Sequence, residues 1–173
     1  MLRNENNICP NRASGGFELE RRKTCCFTGH RPEKLTQTEA EIKVWLTERI
    51  REAVRDGYTA FISGMARGVD LWAAECVLSL RETNGGIRLI CASPYEGFAS
   101  RWPQRWQSLY TDILSRADEA AFVCPRYSPS CFRKRNEWMV DRSSRVIAVF
   151  NGVSGGTKNT IDYARKQGCE VIL

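Results

Sequence analysis

The sequence predicts a single α/β domain in which an open, mostly parallel sheet carries helices on both faces. Six short, continuously apolar runs occur along the chain, and helical patterns alternate with them almost throughout. The runs are rich in Val, Ile, Phe and Cys, as expected for strands that are covered on both faces. A length of 173 residues, with 42% apolar and 27% charged residues, fits one globular domain.

The first half of this pattern begins with strand-like runs at residues 23–28, 59–63 and 87–93. The capping box of Thr38 and Glu41 predicts the start of the first helix, and Gly57 marks its end. An apolar stripe at helical spacing over residues 69–80 predicts the second helix.

The second half continues with strand-like runs at residues 119–124, 145–150 and 170–173. An apolar stripe over residues 102–114 predicts the third helix, in which Pro103 is tolerated only near the first turn. The last helix is predicted over residues 160–167 and is closed by Gly168.

The N-terminal segment is polar and rich in Asn, Gly and Arg, so residues 1–22 are predicted to be a poorly ordered extension of the domain at 23–173. It has no apolar core of a secretory signal, and no run approaches the length of a membrane span. The eight cysteines lack metal-ligand spacing, and His30 is the single histidine. We therefore expect free thiols in the cytoplasm, with no metal and no cofactor.

The net charge of +6 is concentrated in one internal segment. Residues 126–145 hold six basic side chains against two acidic ones. Such a local excess favours a phosphate-bearing partner at a defined place over a chain that is basic all round.

The residues that follow the predicted strands are candidates for ligand binding, because ligands of open α/β sheets bind at the carboxyl ends of the strands. Glycines let the backbone approach a ligand, and N–H groups of a first helical turn favour an anion. Neither glycine loop matches the P-loop pattern, and each can equally be a tight turn. We predict a single crevice, which His30 and Arg31 also face, lined by Thr28, Gly29, Ser63, Gly64, Gly68, Gly155, Gly156 and Thr157.

Four motifs resemble one known family. They are "TGHRP", "ISGMARGVDLWAAE", "RKRNEWMVDRSSRVIAVF" and "GGTKNTIDYA", in that order over residues 23–173. Together they resemble the YpsA-like branch of the SLOG superfamily, which also includes the DNA-processing protein DprA and the "Lonely Guy" phosphoribohydrolases. The resemblance implies a Rossmann-like sheet that binds a nucleotide or a nucleotide-derived ligand.

The resemblance also implies roles for individual residues. Gly68 and Asp70 match the glycine-x-acid pair of this branch, where the carboxylate either contacts a ligand or complements the helix dipole. Arg135 and Asn136 stand where the hydrolases carry an Arg-Lys pair, and an arginine there can grip phosphate. The catalytic glutamate of those hydrolases falls on Asp162 or Thr160, neither of which is an equivalent acid.

Three functions follow from these observations. The first is a protein that binds a nucleotide or a nucleotide derivative as a sensor or regulator, with homo-oligomerisation left open. The alternative is a nucleotide N-glycosidic hydrolase with Asp70 or Asp162 as its catalytic carboxylate. A further alternative is a DprA-like single-strand DNA binder that uses the basic segment at 126–145 and its interleaved aromatic residues.

Overall fold

The computed structural model describes residues 19–173, which form one six-stranded sheet flanked by five α-helices. The strands are β1 Thr24–Gly29, β2 Ala60–Ser63, β3 Arg88–Ser93, β4 Glu119–Phe122, β5 Arg145–Val149 and β6 Glu170–Ile172. The helices are α1 Glu39–Arg55, α2 Val69–Thr83, α3 Gln104–Arg116, α4 Cys131–Asp141 and α5 Gly156–Lys166. Two 3₁₀ turns, Arg21–Lys23 and Pro32–Lys34, precede and follow β1.

All the strand pairs are parallel, and the order across the sheet is β4-β3-β2-β1-β5-β6. The chain builds outward from β1 to β4 and then returns to place β5 on the other side of β1. The connections after β1 and β5 therefore leave in opposite directions, and ligands of open α/β sheets bind outside the carboxyl ends of strands at such a switch point. We call this side of the sheet, with the loops that follow the strands, the carboxyl edge.

Helices cover both faces of the sheet, as the sequence predicts. Helices α1, α2 and α3 contribute to the hydrophobic core on one face, and α4 and α5 to the core on the other. The neighbouring residues Cys25 and Cys26 point to opposite faces of β1, so each thiol is buried in a different core. This double burial explains why the strands are apolar throughout rather than alternating.

The first helix begins as predicted. Thr38 Oγ1 accepts from the backbone N–H of Glu41 at 3.3 Å, while a Glu41 carboxylate oxygen accepts from the backbone N–H of Thr38 at 2.8 Å. The capping box is therefore confirmed, and Pro103 is found at the N-cap of α3, where its missing N–H costs nothing.

Two local expectations are wrong, and one helix was not expected. β4 is an edge strand whose Glu119, Ala120 and Phe122 are exposed, so it is not covered on both faces. α5 begins at Gly156, four residues before the expected start. Its first turn lacks apolar periodicity, so the sequence pattern does not indicate that this turn is helical. α4 was not predicted at all, because the charged Arg135 occupies a buried position in the middle of its apolar stripe.

The seven cysteines within residues 19–173 are all free, as expected. Cys9 lies outside the described part of the chain, as do residues 1–18 of the poorly ordered extension predicted at 1–22. Arg21 attaches the start of the described segment to the end of α5 by donating to the carbonyl of Gln167 at 3.0 Å. No helix within the described residues is long and apolar enough to cross a membrane.

Candidate functional site

An ion pair between the two helical layers lies at the carboxyl edge. Asp70 in the first turn of α2 and Arg135 in the middle of α4 come from opposite faces of the sheet, and their Oδ2 and Nη1 atoms are 3.8 Å apart. Both side chains are less than 10% exposed, unlike those of every other ion pair found within residues 19–173. At this distance the pair is attracted but is not hydrogen-bonded.

Burial without a full hydrogen bond shifts the protonation equilibria of both partners. Burial raises the pKa of Asp70, and the nearby Arg135 opposes that rise only in part. Burial likewise lowers the pKa of Arg135, against the pull of Asp70. Both pKa shifts disfavour the charged form, so the cost of desolvation outweighs the attraction between the two groups. Buried groups with shifted pKa values are common at functional sites.

The turn before α2 holds Asp70 in place. Ser63 Oγ donates to the Asp70 carbonyl at 2.8 Å and accepts from the backbone N–H of Met65 at 3.2 Å. The Ala66 N–H donates to Asp70 Oδ2 at 3.2 Å. Met65 adopts φ 62°, the one positive φ of a non-glycine residue within 19–173, and such strain is concentrated at functional turns.

Gly64 lets the ion pair approach the backbone of this turn. A Cβ atom on Gly64 would lie 2.5 Å from Arg135 Nη1 and 2.6 Å from Asp70 Oδ2. Any side chain at this position would therefore fill the space in which the guanidinium and the carboxylate meet. Arg135 Nη1 itself is buried and finds no hydrogen-bond acceptor within the described residues.

A chain of hydrogen bonds joins Arg135 to the start of α5. Arg135 Nε donates to Asn136 Oδ1 at 2.8 Å, and Asn136 Nδ2 donates to Thr160 Oγ1 at 2.8 Å. Thr160 Oγ1 in turn donates to the carbonyl of Gly156 at 2.9 Å. The guanidinium plane is thereby fixed relative to the first turn of α5.

His30 forms the second polar element of the carboxyl edge, directly after β1. Its ring is 5% exposed and stacks on Phe150, with the centroids 5.6 Å apart. Nδ1 lies 3.5 Å from Thr157 Oγ1 in the first turn of α5, while Nε2 is buried and meets no partner within residues 19–173. Burial lowers the pKa of His30, the charge of Lys34 lowers it further, and the polar side chain of Asn151 opposes both.

The glycines of the predicted crevice differ in their surroundings. A Cβ on Gly29 would lie 2.5 Å from Val69, and a Cβ on Gly68 would lie 2.7 Å from Pro32. Gly68 also adopts φ 90°, which side chains rarely tolerate. These two glycines are therefore explained by the packing of α2 against the loop after β1. Gly155 and Gly156 face open space instead, and no side chain caps α5.

The structure brings most of the predicted crevice residues to one edge of the sheet. Asn136 and Thr160 connect Arg135, beside the Gly64 turn, with Gly156. The His30 ring faces Thr157, and the His30 carbonyl oxygen lies beside Gly68. Thr28 is buried at the end of β1, and Arg31 is exposed.

The two carboxylates named as catalytic candidates lie in different environments. Asp70 is buried beside Arg135, whereas Asp162 is exposed on α5 and forms an ion pair with Lys158. Thr160, the other residue that matches the hydrolase glutamate, is 3% exposed and is hydrogen-bonded to Asn136. Only Asp70 therefore combines a carboxylate with the buried polar cluster.

Sequence reasoning missed the partners that complete this edge. Phe150, which stacks on His30, falls at the end of a predicted strand, and the sequence names Asn136 as a site residue without indicating its bond to Thr160. The spacing of four between Cys131, Arg135 and Met139 was the available signal, since all three are buried on one side of α4.

A cavity and a metal-binding cluster are two other kinds of site that residues 19–173 could form. A shallow cavity of about 260 Å³ opens at the opposite end of the sheet, lined by Arg51, Val54, Arg55, Leu80, Thr83, Asn84 and Ile87. No predicted ligand residue lies there. Across residues 19–173, no three His, Cys, Asp or Glu side chains converge as metal ligands.

Solved structures share this fold. DprA from Helicobacter pylori, which binds single-stranded DNA, superposes with a TM-score of 0.62 over 88% of this chain at 19% identity. DprA from Streptococcus pneumoniae gives a TM-score of 0.61 over 88% of this chain at 18% identity. The match spans 65% of the first protein and 50% of the second, so both DprA proteins contain regions without a counterpart here.

Sequence relatives agree with the fold. The SPbeta prophage-derived protein YoqJ of Bacillus subtilis is 31% identical over 142 residues, which make up 75% of this chain and 83% of YoqJ. The model of the YspA SLOG family matches residues 25–169, from β1 to the residue that precedes β6. The chain therefore belongs to the YspA SLOG family.

Proposed function

We propose that the protein binds a nucleotide or a nucleotide-derived ligand at the carboxyl edge and acts as a sensor or regulator inside the cell. The observation that carries this proposal is the buried guanidinium of Arg135, whose Nη1 has no hydrogen-bond acceptor within residues 19–173. An ordinary structural arginine would be satisfied by its own fold, because unpaired buried donors are costly. A phosphate oxygen is the acceptor that a guanidinium fork suits best.

The surroundings of Arg135 support a defined anion site rather than a diffuse basic surface. Its neighbours Arg133 and Lys134 on α4 are exposed, and Arg133 is paired with Glu137 at 2.8 Å. The basic residues of the segment at 126–145 thus include a solvated face and two buried cations, of which Arg145 is paired with Asp56 and Glu170. The uncapped first turn of α5, with Gly155 and Gly156 open to solvent, supplies backbone N–H donors nearby.

Calorimetry with a nucleotide and its nucleoside tests this function. Arg135→Lys keeps the charge and loses the fork, so AMP should bind about thirtyfold more weakly, equivalent to about 2 kcal/mol, with adenosine unchanged. Arg133→Lys is the matched control on the exposed face and should bind AMP like the wild type. Native mass spectrometry of the purified protein would identify a retained ligand directly. Equal losses for AMP and adenosine would reject the phosphate role.

A hydrolase is the second candidate, because Asp70 is a buried carboxylate with a raised pKa beside a cation. Such a group can stabilise an oxocarbenium-like ribose or activate a water. Release of adenine from AMP, followed by chromatography, would establish the activity, and Asp70→Asn should abolish it. Asp162→Asn should not, because that carboxylate is exposed and paired with Lys158.

Single-strand DNA binding is the third candidate, supported by the likeness to H. pylori DprA. The basic segment is less available than its composition indicates, since Arg142 stacks on Trp138 at 4.1 Å and Arg145 pairs with Asp56 and Glu170. Anisotropy of a labelled oligothymidylate, measured over a range of salt, would show a steep salt dependence if this function holds. A flat, weak response would exclude it.

A further inference from the structure

Five aromatic side chains form a cluster at the carboxyl edge. They come from the loop after β3, the loop between β4 and α4, and the first turn of α4, and they are Tyr95, Phe98, Trp102, Tyr127 and Phe132. The centroid of the Tyr95 ring lies 5.6 Å from that of Phe98, 5.5 Å from that of Tyr127 and 6.5 Å from that of Phe132. We call these five residues the aromatic cluster.

The two loops of the aromatic cluster leave the sheet beside the turn that holds Asp70. Ser63, where β2 ends and this turn begins, is level with Cys91 of the neighbouring β3. The backbone N–H of Cys124 donates to the carbonyl of Pro94 at 2.9 Å, so the loop before α4 runs along the loop after β3. Both loops therefore extend beyond the same edge of the sheet as the turn after β2.

Helix α4 connects the aromatic cluster with the buried guanidinium. Phe132 and Arg135 are three residues apart, so they are neighbours on the helix surface, with Cβ atoms about 5–6 Å apart. Although α4 covers one face of the sheet, Phe132 packs against the core of the other face, and Arg135 reaches Asp70 there. Both side chains thus cross the carboxyl edge, and the aromatic cluster begins one helical turn from the proposed phosphate contact.

The exposure of the rings increases from the core toward the solvent. Phe98 is 9% exposed, Tyr95 and Phe132 are half-buried, and Tyr127 is 60% exposed. The rings of Tyr95 and Tyr127 meet at an interplanar angle of 75°, a T-shaped contact that can cover only one face of either ring. One face of the Tyr127 ring is therefore open to solvent, while the half-buried rings support it from below.

We propose that the aromatic cluster is a base-stacking subsite, in which the planar base of the ligand lies on the Tyr127 ring while its phosphate binds Arg135. This proposal rests on the proposed function, because it takes the phosphate at Arg135 as its fixed point. A tyrosine ring can stack on any base, since every base has a π-face. The ligand class is then a nucleotide that keeps its base, and not a sugar phosphate or inorganic phosphate.

The aromatic cluster offers a platform for one base rather than for a strand. Proteins that hold single strands stack successive bases on several rings. Tyr127 is the one member of the aromatic cluster that is exposed, and Trp138, farther along α4, is covered by the guanidinium of Arg142 at 4.1 Å. The geometry therefore favours a free nucleotide over single-stranded DNA.

Calorimetry with AMP and ribose 5-phosphate tests the subsite, because ribose 5-phosphate keeps the sugar and the phosphate and lacks the base. The wild type should bind AMP at least about tenfold more tightly than ribose 5-phosphate. Tyr127→Ala should weaken AMP about tenfold and leave ribose 5-phosphate unchanged. Tyr127→Phe keeps the ring and should bind AMP like the wild type.

Phe122→Ala is the matched control. Phe122 is 45% exposed on β4 and does not belong to the aromatic cluster, so its loss should leave AMP binding unchanged. Tyr127 lies at the surface, so urea unfolding of its variants should give the midpoint of the wild type.

The outcomes separate this proposal from the proposed function. If Arg135→Lys weakens AMP but Tyr127→Ala does not, the base subsite is overturned and the phosphate site stands. If Tyr127→Ala weakens AMP and adenosine equally while Arg135→Lys changes neither, the phosphate role is rejected and the base subsite stands. An oligothymidylate that binds more tightly than AMP, and loses affinity in Tyr127→Ala, would assign the ring to a strand and overturn the free nucleotide.

Discussion

Asp70 of α2 and Arg135 of α4 lie on opposite faces of the sheet, yet their charged groups are 3.8 Å apart across its carboxyl edge. The contact depends on the turn at Gly64, because the missing side chain of this glycine leaves room for the guanidinium and the carboxylate. This edge is the place where the two helical layers meet without the sheet between them. It is also where open α/β sheets bind ligands.

Substitution of Gly64 should separate the ion pair. The Cβ of Gly64→Ala would lie 2.5 Å from Arg135 Nη1, and Asn136 restrains the guanidinium from moving away. We expect a loss of about 1–3 kcal/mol in the free energy of unfolding, as is typical of overpacking. Urea unfolding of the variant measures this loss. An unchanged midpoint would mean that the guanidinium moves freely.

Gly68 and Gly156 form a matched pair that separates packing from binding. Gly68→Ala should lower the free energy of unfolding by about 1–3 kcal/mol, because its φ is 90° and its Cβ would meet Pro32. Gly156→Ala should leave stability nearly unchanged, because its Cβ would face open space.

The same pair tests the anion site at α5. If a phosphate approaches the backbone there, Gly156→Ala should weaken AMP binding severalfold in calorimetry while the protein stays fully folded. If Gly156→Ala binds AMP as tightly as the wild type, the phosphate does not contact the first turn of α5.

The open sheet and its inner strands were predictable because strands buried on both faces leave continuous apolar runs in the sequence. The edge strand β4 has a similar run although most of its side chains are exposed. α4 was not, because Arg135 stands where the apolar stripe requires a hydrophobic residue. The prediction failed at the residue that carries the proposed function, as is expected where function overrides local pattern. The contact of Phe150 with His30 depends on the parallel pairing of β1 with β5, which no local signal specifies.

His30 should make stability depend on pH in a defined direction. Its pKa is lowered in the folded chain, so the unfolded chain binds more protons below the ordinary value of 6.5. The stabilisation is therefore complete above that value and is lost as pH falls through the pKa of the folded chain. Urea unfolding from about pH 5 to about pH 8 should show this loss in the wild type and not in His30→Gln.

The single histidine also gives a direct reading of the site. Since His30 is the chain's only histidine, one pair of imidazole signals in NMR reports its titration without assignment. We expect a pKa below 6.5 in the free protein and a rise when AMP is added, if the phosphate reaches this ring. If the pKa of His30 does not change when AMP is added, the phosphate does not reach this ring and contacts Arg135 alone of the two.

The buried ion pair should behave unlike a surface pair. Asp70→Asn should cost about 3–5 kcal/mol of unfolding free energy, because it leaves Arg135 as an uncompensated buried charge. Arg135→Gln should cost a similar amount, for the converse reason. The double variant should lose less than the sum of the two, with a coupling of about 1–3 kcal/mol, because neither buried charge then remains alone.

The exposed pair of Arg133 and Glu137 on the same helix is the control for this cycle. Its nitrogen and oxygen are 2.8 Å apart, closer than in the buried pair, yet Arg133 is 69% exposed. The equivalent cycle should therefore give a coupling of at most about 1 kcal/mol. If the double variant of Asp70 and Arg135 is as stable as the wild type but no longer binds AMP, the ion pair is retained for the ligand and not for the fold. If it binds AMP normally, the phosphate site must be placed elsewhere.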